Sequence, residues 1–268
     1  MMNTRRALAL LLGAYAVLTG YIYFRAWLGL PFQIGVAFAH PLVAMVFVLL
    51  HAGQREGWRN AIRFVLLTLL LTLIIESIGV STGFPFGHYH YTDKLGALFL
   101  GLVPYVIPIV WLNMLYPAYV IATRLFPHAQ RGKHPWSEAA LGGLVMTSWD
   151  LIVDPVMVRR DHWVWEHGGA YFGIPLSNFL GWWLTSFVIL SLYAHRRSRH
   201  RDDYFHSTHD NLAVAIYAIT GLGNVIGGMV DGLTLPALIA FLAMAFWVIM
   251  VWRTMRREVI APGQVLGR

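Results

Sequence analysis

The sequence predicts an all-α protein: a polytopic transmembrane helical bundle of about eight spans, with both termini cytoplasmic. Three observations carry this reading. Apolar residues fill 57% of the 268 positions and charged residues 12%, about half the share of roughly 25% usual in globular domains. The apolar residues gather into eight runs, each near the roughly 20 residues that carry a helix across a hydrocarbon core. The basic residues lie in short segments between those runs, the positive-inside pattern.

The spans fall at residues 7–24, 33–50, 61–80, 96–121, 137–154, 177–194, 211–230 and 235–252. The first follows Met-Met-Asn-Thr-Arg-Arg and shows no small-residue cleavage motif, so it reads as a retained span rather than a signal peptide. The fourth is long and contains Pro104, Pro108 and Pro117. Proline removes a backbone donor, so a kink is expected there. The fifth is short and ends at Asp154, before Pro155. No repeat, linker or low-complexity segment interrupts the chain, which implies one domain over residues 1–268.

Charge sets the orientation. A net charge of +7 would suggest nucleic acid for a soluble protein, but here the cations follow topology, and no nucleic-acid partner is expected. With the N-terminus inside, sixteen of the twenty basic residues fall on the inner side. Only Arg25, Lys94, Arg159 and Arg160 fall outside. The run His195–Asp203 is then an anchor that touches anionic lipid. Cysteine is absent, which excludes disulfides and thiol catalysis.

Polar residues inside apolar runs are the candidates for function, because an acid at membrane depth is costly. Glu76 lies about one turn from the outer end of span three. Asp150 and Asp154 close span five, Asn178 opens span six, and Asp231 ends span seven. All fall in the same leaflet. Asp150 and Asp154 are four residues apart and share a helix face. Two like charges so close in a low dielectric do not both ionise easily, which keeps one carboxyl protonated, as a general acid requires. The bland reading makes Asp154 a solvated helix end and Glu76 an interhelical hydrogen-bond partner. Asn113, alone in span four, reads as structural.

Two loops on the same side are rich in aromatic and polar groups. Residues 79–96 include Phe84, Phe86, His88, Tyr89, His90 and Tyr91. Residues 161–183 include Trp163, Trp165, Glu166, Trp182 and Trp183, and are too aromatic for a free loop, so they are expected to fold back over the outer pocket. Their tryptophans suit either an interfacial belt or contact with a cation. His88 and His90 are two possible metal ligands, short of the three or four a site needs. A metal-dependent lipid hydrolase or prenyltransferase built on Asp150, Asp154 and these histidines therefore stays open, as does a lipid or proton transporter.

These segments resemble a known family. Glu76–Gly96, Pro108–Trp111, Trp149–Met157, Trp163–Glu166 and Tyr171–Trp182 are similar to the CruF-type carotenoid biosynthesis proteins of bacteria and haloarchaea, which are integral-membrane carotenoid hydratases. The resemblance spans roughly residues 60–230. It implies addition of water to the terminal C=C bond of an acyclic carotenoid end, giving a tertiary alcohol, with no cofactor and no metal. It also implies a multi-pass cell-membrane protein whose partners are its carotenoid substrate, membrane lipids and other enzymes of the pathway. The residues fit that chemistry. Asp150 is the expected proton donor, supported by Asp154 and Glu76. Trp149, Tyr89 and Trp182 offer faces to a carbocation. Asn178 or a second carboxylate orients the water. His88, His90, Glu166 and Asp231 complete the expected substrate and water surroundings.

Overall fold

The computed structural model describes residues 4–25, 27–126, 134–196 and 209–260. Within these residues, eight helices are long and apolar enough to cross a membrane: α1 (Thr4–Phe24), α2 (Ile34–Glu56), α3 (Trp58–Thr82), α4 (Val106–Leu125), α5 (Pro135–Arg159), α6 (Leu176–Arg196), α7 (Asp210–Val230) and α8 (Thr234–Ile260). Several loop cations used to orient the chain, including Arg131, Lys133, Arg197, Arg199, Arg201 and Arg268, lie outside the described residues, as does most of the basic run after His195. The chain is a multi-pass membrane protein.

Helix α4 is the hub. It is buried over nearly its whole length and packs on α2, α3, α5, α7 and α8. Helices α1, α2, α3 and α8 keep most of their surface outward, and the large apolar residues exposed there suit lipid. Small residues allow the closest approaches. A methyl group on Gly142 would meet Leu190 Cδ1 at 2.4 Å, and one on Gly143 would meet Trp183 at 2.9 Å. The α5–α6 pair is therefore in near backbone contact, and α5 is held in a fixed rotation against α6.

Two spans differ from their sequence expectation. The fourth begins at Val106, not at residue 96. Residues 96–105 instead form a small hairpin of β2 (Leu98–Phe99) and β3 (Val103–Pro104). Its turn places Leu100 and Gly101 at φ 50° and 72°, the mirror-image turn geometry that suits hairpins. Pro104 thus leaves the helix, and Pro108 falls in the first turn, where an amide needs no helical partner. Only Pro117 sits inside α4. The fifth span is not short: α5 continues through Pro155 to Arg159. Pro155 deprives the Leu151 carbonyl of its helical donor, and Tyr171 Oη donates to that carbonyl at 3.0 Å instead. Asp154 is consequently buried inside a helix, not a solvated end.

The loops at one end of the bundle are tied together. Strand β1 (Tyr89–Tyr91) pairs antiparallel with β4 (Trp163–Trp165), Tyr89 opposite Trp165. This fastens the segment after α3 to the segment after α5, so the aromatic 161–175 stretch folds back as expected. Phe86 is wedged between α3 and α6: a methyl on Gly79 would meet its ring at 2.6 Å, and one on Gly181 at 2.7 Å.

The opposite end is locked by charge. Asp210, at the start of α7, is fully buried. Arg124 Nε of α4 donates to its Oδ2 at 2.5 Å and Arg55 Nε of α2 to its Oδ1 at 3.1 Å. Arg55 also pairs with Glu56 and donates to Thr123 Oγ1 at 2.8 Å. Three helices thus meet on one carboxylate. Asp210→Ala leaves two guanidinium groups buried without it, which costs about 3–5 kcal/mol. The expected outcome is a large drop in the unfolding temperature of the purified protein in detergent, far beyond that of an exposed control such as Asp161→Ala.

Candidate active site

At the β1–β4 end, three carboxyl groups are buried at membrane depth. Glu76 is a turn and a half from the end of α3, and three donors from other elements reach it. Tyr89 Oη and Tyr91 Oη donate to Oε2, the latter at 2.8 Å, and Trp111 Nε1 of α4 donates to Oε1 at 2.8 Å. The strand alternation explains the pair of phenols: Tyr89 and Tyr91 face inward, while His90 between them is exposed. Burial, reinforced by Glu76, pushes both phenols well above their ordinary range, so they remain donors.

Asp150 and Asp154 stand one turn apart on α5, and both are joined to Asn178 at the start of α6. Asn178 Nδ2 donates to Asp150 Oδ2 at 3.0 Å and to Asp154 Oδ2 at 2.5 Å. Asp150 Oδ1 is buried with no hydrogen-bond partner. None of the three carboxyls forms an ion pair with Lys, Arg or His among the described residues.

Part of this cluster borders a cavity of about 650 Å³. Asp154, Glu76 and Asn178 line it; Asp150 sits behind Asp154 and does not. The surrounding wall is aromatic. Trp111 and Trp182 stack with centroids 4.0 Å apart and planes 13° apart, and Trp149 meets Trp182 edge-on at 5.8 Å. The Trp149 indole N–H is buried without a partner on this wall.

A model of a family described as carotenoid biosynthesis protein matches residues 35–247. The chain belongs to the carotenoid biosynthesis protein family. It is also 31% identical over 153 residues to a bisanhydrobacterioruberin hydratase of Haloarcula japonica, an alignment covering 57% of this chain and 49% of that protein. The chain thus aligns with about half the length of that relative. No solved structure matches it.

Within this family member, the residues singled out by sequence divide into two groups. Glu76, Tyr89, Trp149, Asp154, Asn178 and Trp182 come together on the cavity wall, with Asp150 directly behind. His88, His90 and Glu166 do not: they are exposed on the outer faces of the paired strands and loops, because strand alternation turns them away from Tyr89 and Tyr91. His88 lies near His167 instead, with ring centroids 6.2 Å apart, and no group of three or more His, Asp or Glu able to hold a metal forms among the described residues. Asp231 borders the cavity, but its Oδ2 is engaged by Arg160 Nε at 2.7 Å. The site also contains Tyr91 and Trp111, which were not singled out. The period-two alternation of Tyr89 and Tyr91 is a signal that finds the first. Trp111 has no local signal beyond the Pro108–Trp111 resemblance, since it meets Glu76 across 35 positions of chain.

The Phe86 wedge holds the loop that carries Tyr89. Gly181→Ala forces that ring out of its seat, an overpacking cost of about 1–3 kcal/mol. Limited proteolysis should then cut the 83–92 segment faster than in the wild type while the helical core persists.

Proposed function

We propose that the protein is a carotenoid hydratase, a hydro-lyase that adds water to the terminal C=C bond of an acyclic carotenoid end and yields a tertiary alcohol. One observation carries this reading: two buried carboxyl groups without an ion-pair partner among the described residues, Glu76 and Asp154, border an aromatic cavity, and a third, Asp150, shares Asn178 with Asp154. Alkene hydration needs a proton delivered to carbon, a shelter for the resulting cation and one water. An acid with no cation beside it and a tryptophan wall suit the first two needs.

Asp154 is the group placed to act on a substrate, since it lines the cavity. Its Oδ–H proton goes to the less substituted alkene carbon as the π pair forms the new C–H bond, which leaves a tertiary carbocation. Asp150 and Asn178 position Asp154. The faces of Trp111, Trp149 and Trp182 stabilise the cation. Water in the cavity forms the C–O bond and gives its extra proton to Glu76, whose two oxygens only accept hydrogen bonds. That proton returns to Asp154 through cavity water, so the cycle consumes one water and no cofactor.

We further infer that the carotenoid comes laterally from lipid, that both termini lie in the cytoplasm, and that the acid end faces outward beneath the β1–β4 cover. The eight helices act as one unit in this scheme, with membrane lipid and neighbouring pathway enzymes as partners in the cell membrane.

Expression in a lycopene-making host tests the class: pigments should gain the mass of one or two waters, and unchanged pigment would sink the proposal. Asp154→Asn should lower hydration by about 10²–10⁴-fold, the usual share of a general acid. Glu76→Gln should lower it by a smaller factor with the fold retained. Full activity in Asp154→Asn would remove Asp154 from the mechanism.

A further inference from the structure

The cavity has a second polar wall that the proposed hydration chemistry does not use. Its centre is His40 of α2, which stacks on Tyr15 of α1 with ring centroids 4.4 Å apart. The hydrogen bonds around it run in one direction. Thr19 Oγ1 donates its single proton to the Tyr15 carbonyl at 2.8 Å, so toward His40 Nε2, 2.9 Å away, it is the acceptor. The network thus assigns the proton of the neutral imidazole to Nε2 and the lone pair to Nδ1.

That nitrogen is open. Nδ1 has no hydrogen-bond partner, and it keeps accessible surface where the orphaned polar atoms of the core have none; His40 is half-buried and lines the cavity. His51, deeper in the same helix, is the contrast. Its Nδ1 meets Tyr116 Oη at 2.6 Å and its Nε2 meets the His209 carbonyl at 3.0 Å. A second acceptor shares the face of His40, three residues earlier. Pro41 lies inside α2 and has no N–H, so the Ala37 carbonyl lacks its helical donor. At Pro155 the corresponding carbonyl is met by Tyr171 Oη. No side chain among the described residues does this for Ala37, which is exposed and lines the cavity.

The depth of this wall matches that of the acids. His40 is six residues from the start of α2, Asp154 five from the end of α5 and Glu76 six from the end of α3. At the helical rise, all three lie about 8–9 Å from the same end of the bundle. The open nitrogen therefore borders the chamber at the level of the carboxyls, from a different helix. An alkene end group has no O–H or N–H to offer these acceptors. Water offers two.

We propose that His40 Nδ1 and the Ala37 carbonyl hold the water that adds to the alkene. This rests on the hydratase reading. One O–H of the water points to the nitrogen and the other to the carbonyl, so its lone pairs face the chamber in which the cation forms. The nucleophile is oriented before the cation appears, and such positioning lowers the barrier to addition. The balance is that of the reaction above: one C–O bond forms, and one proton leaves the oxonium for Glu76. His40 touches the reacting water and is neither the proton donor nor the final base.

The test uses the full-length protein in membranes with lycopene, and two substitutions that separate the two ring nitrogens. His40→Gln places an amide donor near the Nε2 position, which keeps the Thr19 bond, and nothing at Nδ1. His40→Asn places its amide near the Nδ1 position and gives up the Thr19 bond. A held water means that His40→Gln lowers kcat about three- to tenfold at unchanged KM, and that His40→Asn retains most of the wild-type kcat. The reverse order, equal loss in both, or wild-type kcat in His40→Gln overturns the water site. A chemical probe reads the same nitrogen without turnover. Diethyl pyrocarbonate acylates a neutral imidazole with an open lone pair, so peptide mass spectrometry should find His40 modified and His51 untouched. An unmodified His40 overturns the open acceptor whether or not lycopene is hydrated. A modified His40 in wild-type protein that hydrates no lycopene overturns the hydratase reading, and the role in addition with it, while the acceptor stands.

Discussion

Burying carboxyl groups at membrane depth without a neutralising cation is the constraint on which the rest of this structure depends. Glu76, Asp150 and Asp154 are met by neutral donors, since no lysine or arginine among the described residues pairs with them. Glu76 is met by two phenols and an indole, and the two aspartates share one amide. Those donors come from three different elements: Trp111 from α4, Asn178 from α6, and Tyr89 and Tyr91 from β1. The β1–β4 pairing delivers Tyr89 and Tyr91. The glycine-mediated approach of α5 to α6 delivers Asn178. The Phe86 wedge holds the loop that brings the phenols in. Loop structure that looks decorative is therefore part of the condition for keeping acids in the bundle.

The two ends of the bundle solve the same problem in opposite ways. At the far end, Asp210 is neutralised by Arg124 and Arg55 in a fully paired network. Those pairs fasten α2, α4 and α7. At the acid end, neutral amide, phenol and indole donors hold the carboxyls in place without supplying charge. The two clusters thus differ in their partners, although burial is similar in both.

Much of the architecture was legible in the sequence because hydrophobic length is a local property. Eight apolar runs became eight helices, and the intramembrane acids stood out by being rare in such runs. Local reading failed where turn geometry or a distant partner decided the outcome. Residues 96–105 are as apolar as a span, yet Leu100 and Gly101 make a mirror-image turn that pairs β2 with β3. Pro155 reads as a helix stop, and the residue that lets the helix continue, Tyr171, lies sixteen positions later. The burial of Asp210 depends on Arg55 and Arg124, which lie 155 and 86 positions away. His88 and His90 attract notice by composition, but a two-residue period places them opposite the tyrosines that matter.

The continuation of α5 through Pro155 also decides which aspartate meets the cavity. If the helix stopped at Asp154, that side chain would lie at the interface with water, and Asp150 would be the deepest acid. Because Tyr171 satisfies the freed Leu151 carbonyl, the helix runs on to Arg159, and Asp154 is drawn a full turn inside. Asp150 is then screened from the cavity by Asp154 and Asn178, with one oxygen left unpartnered. The geometry thus pairs an inner carboxyl that touches only its neighbours with an outer carboxyl that touches the cavity. In the proposed mechanism, a proton exchanged within that pair reaches a substrate through the outer member, the one that lines the cavity. A single phenol, outside the helix and outside the carboxyl cluster, accordingly sets the depth of that outer carboxyl.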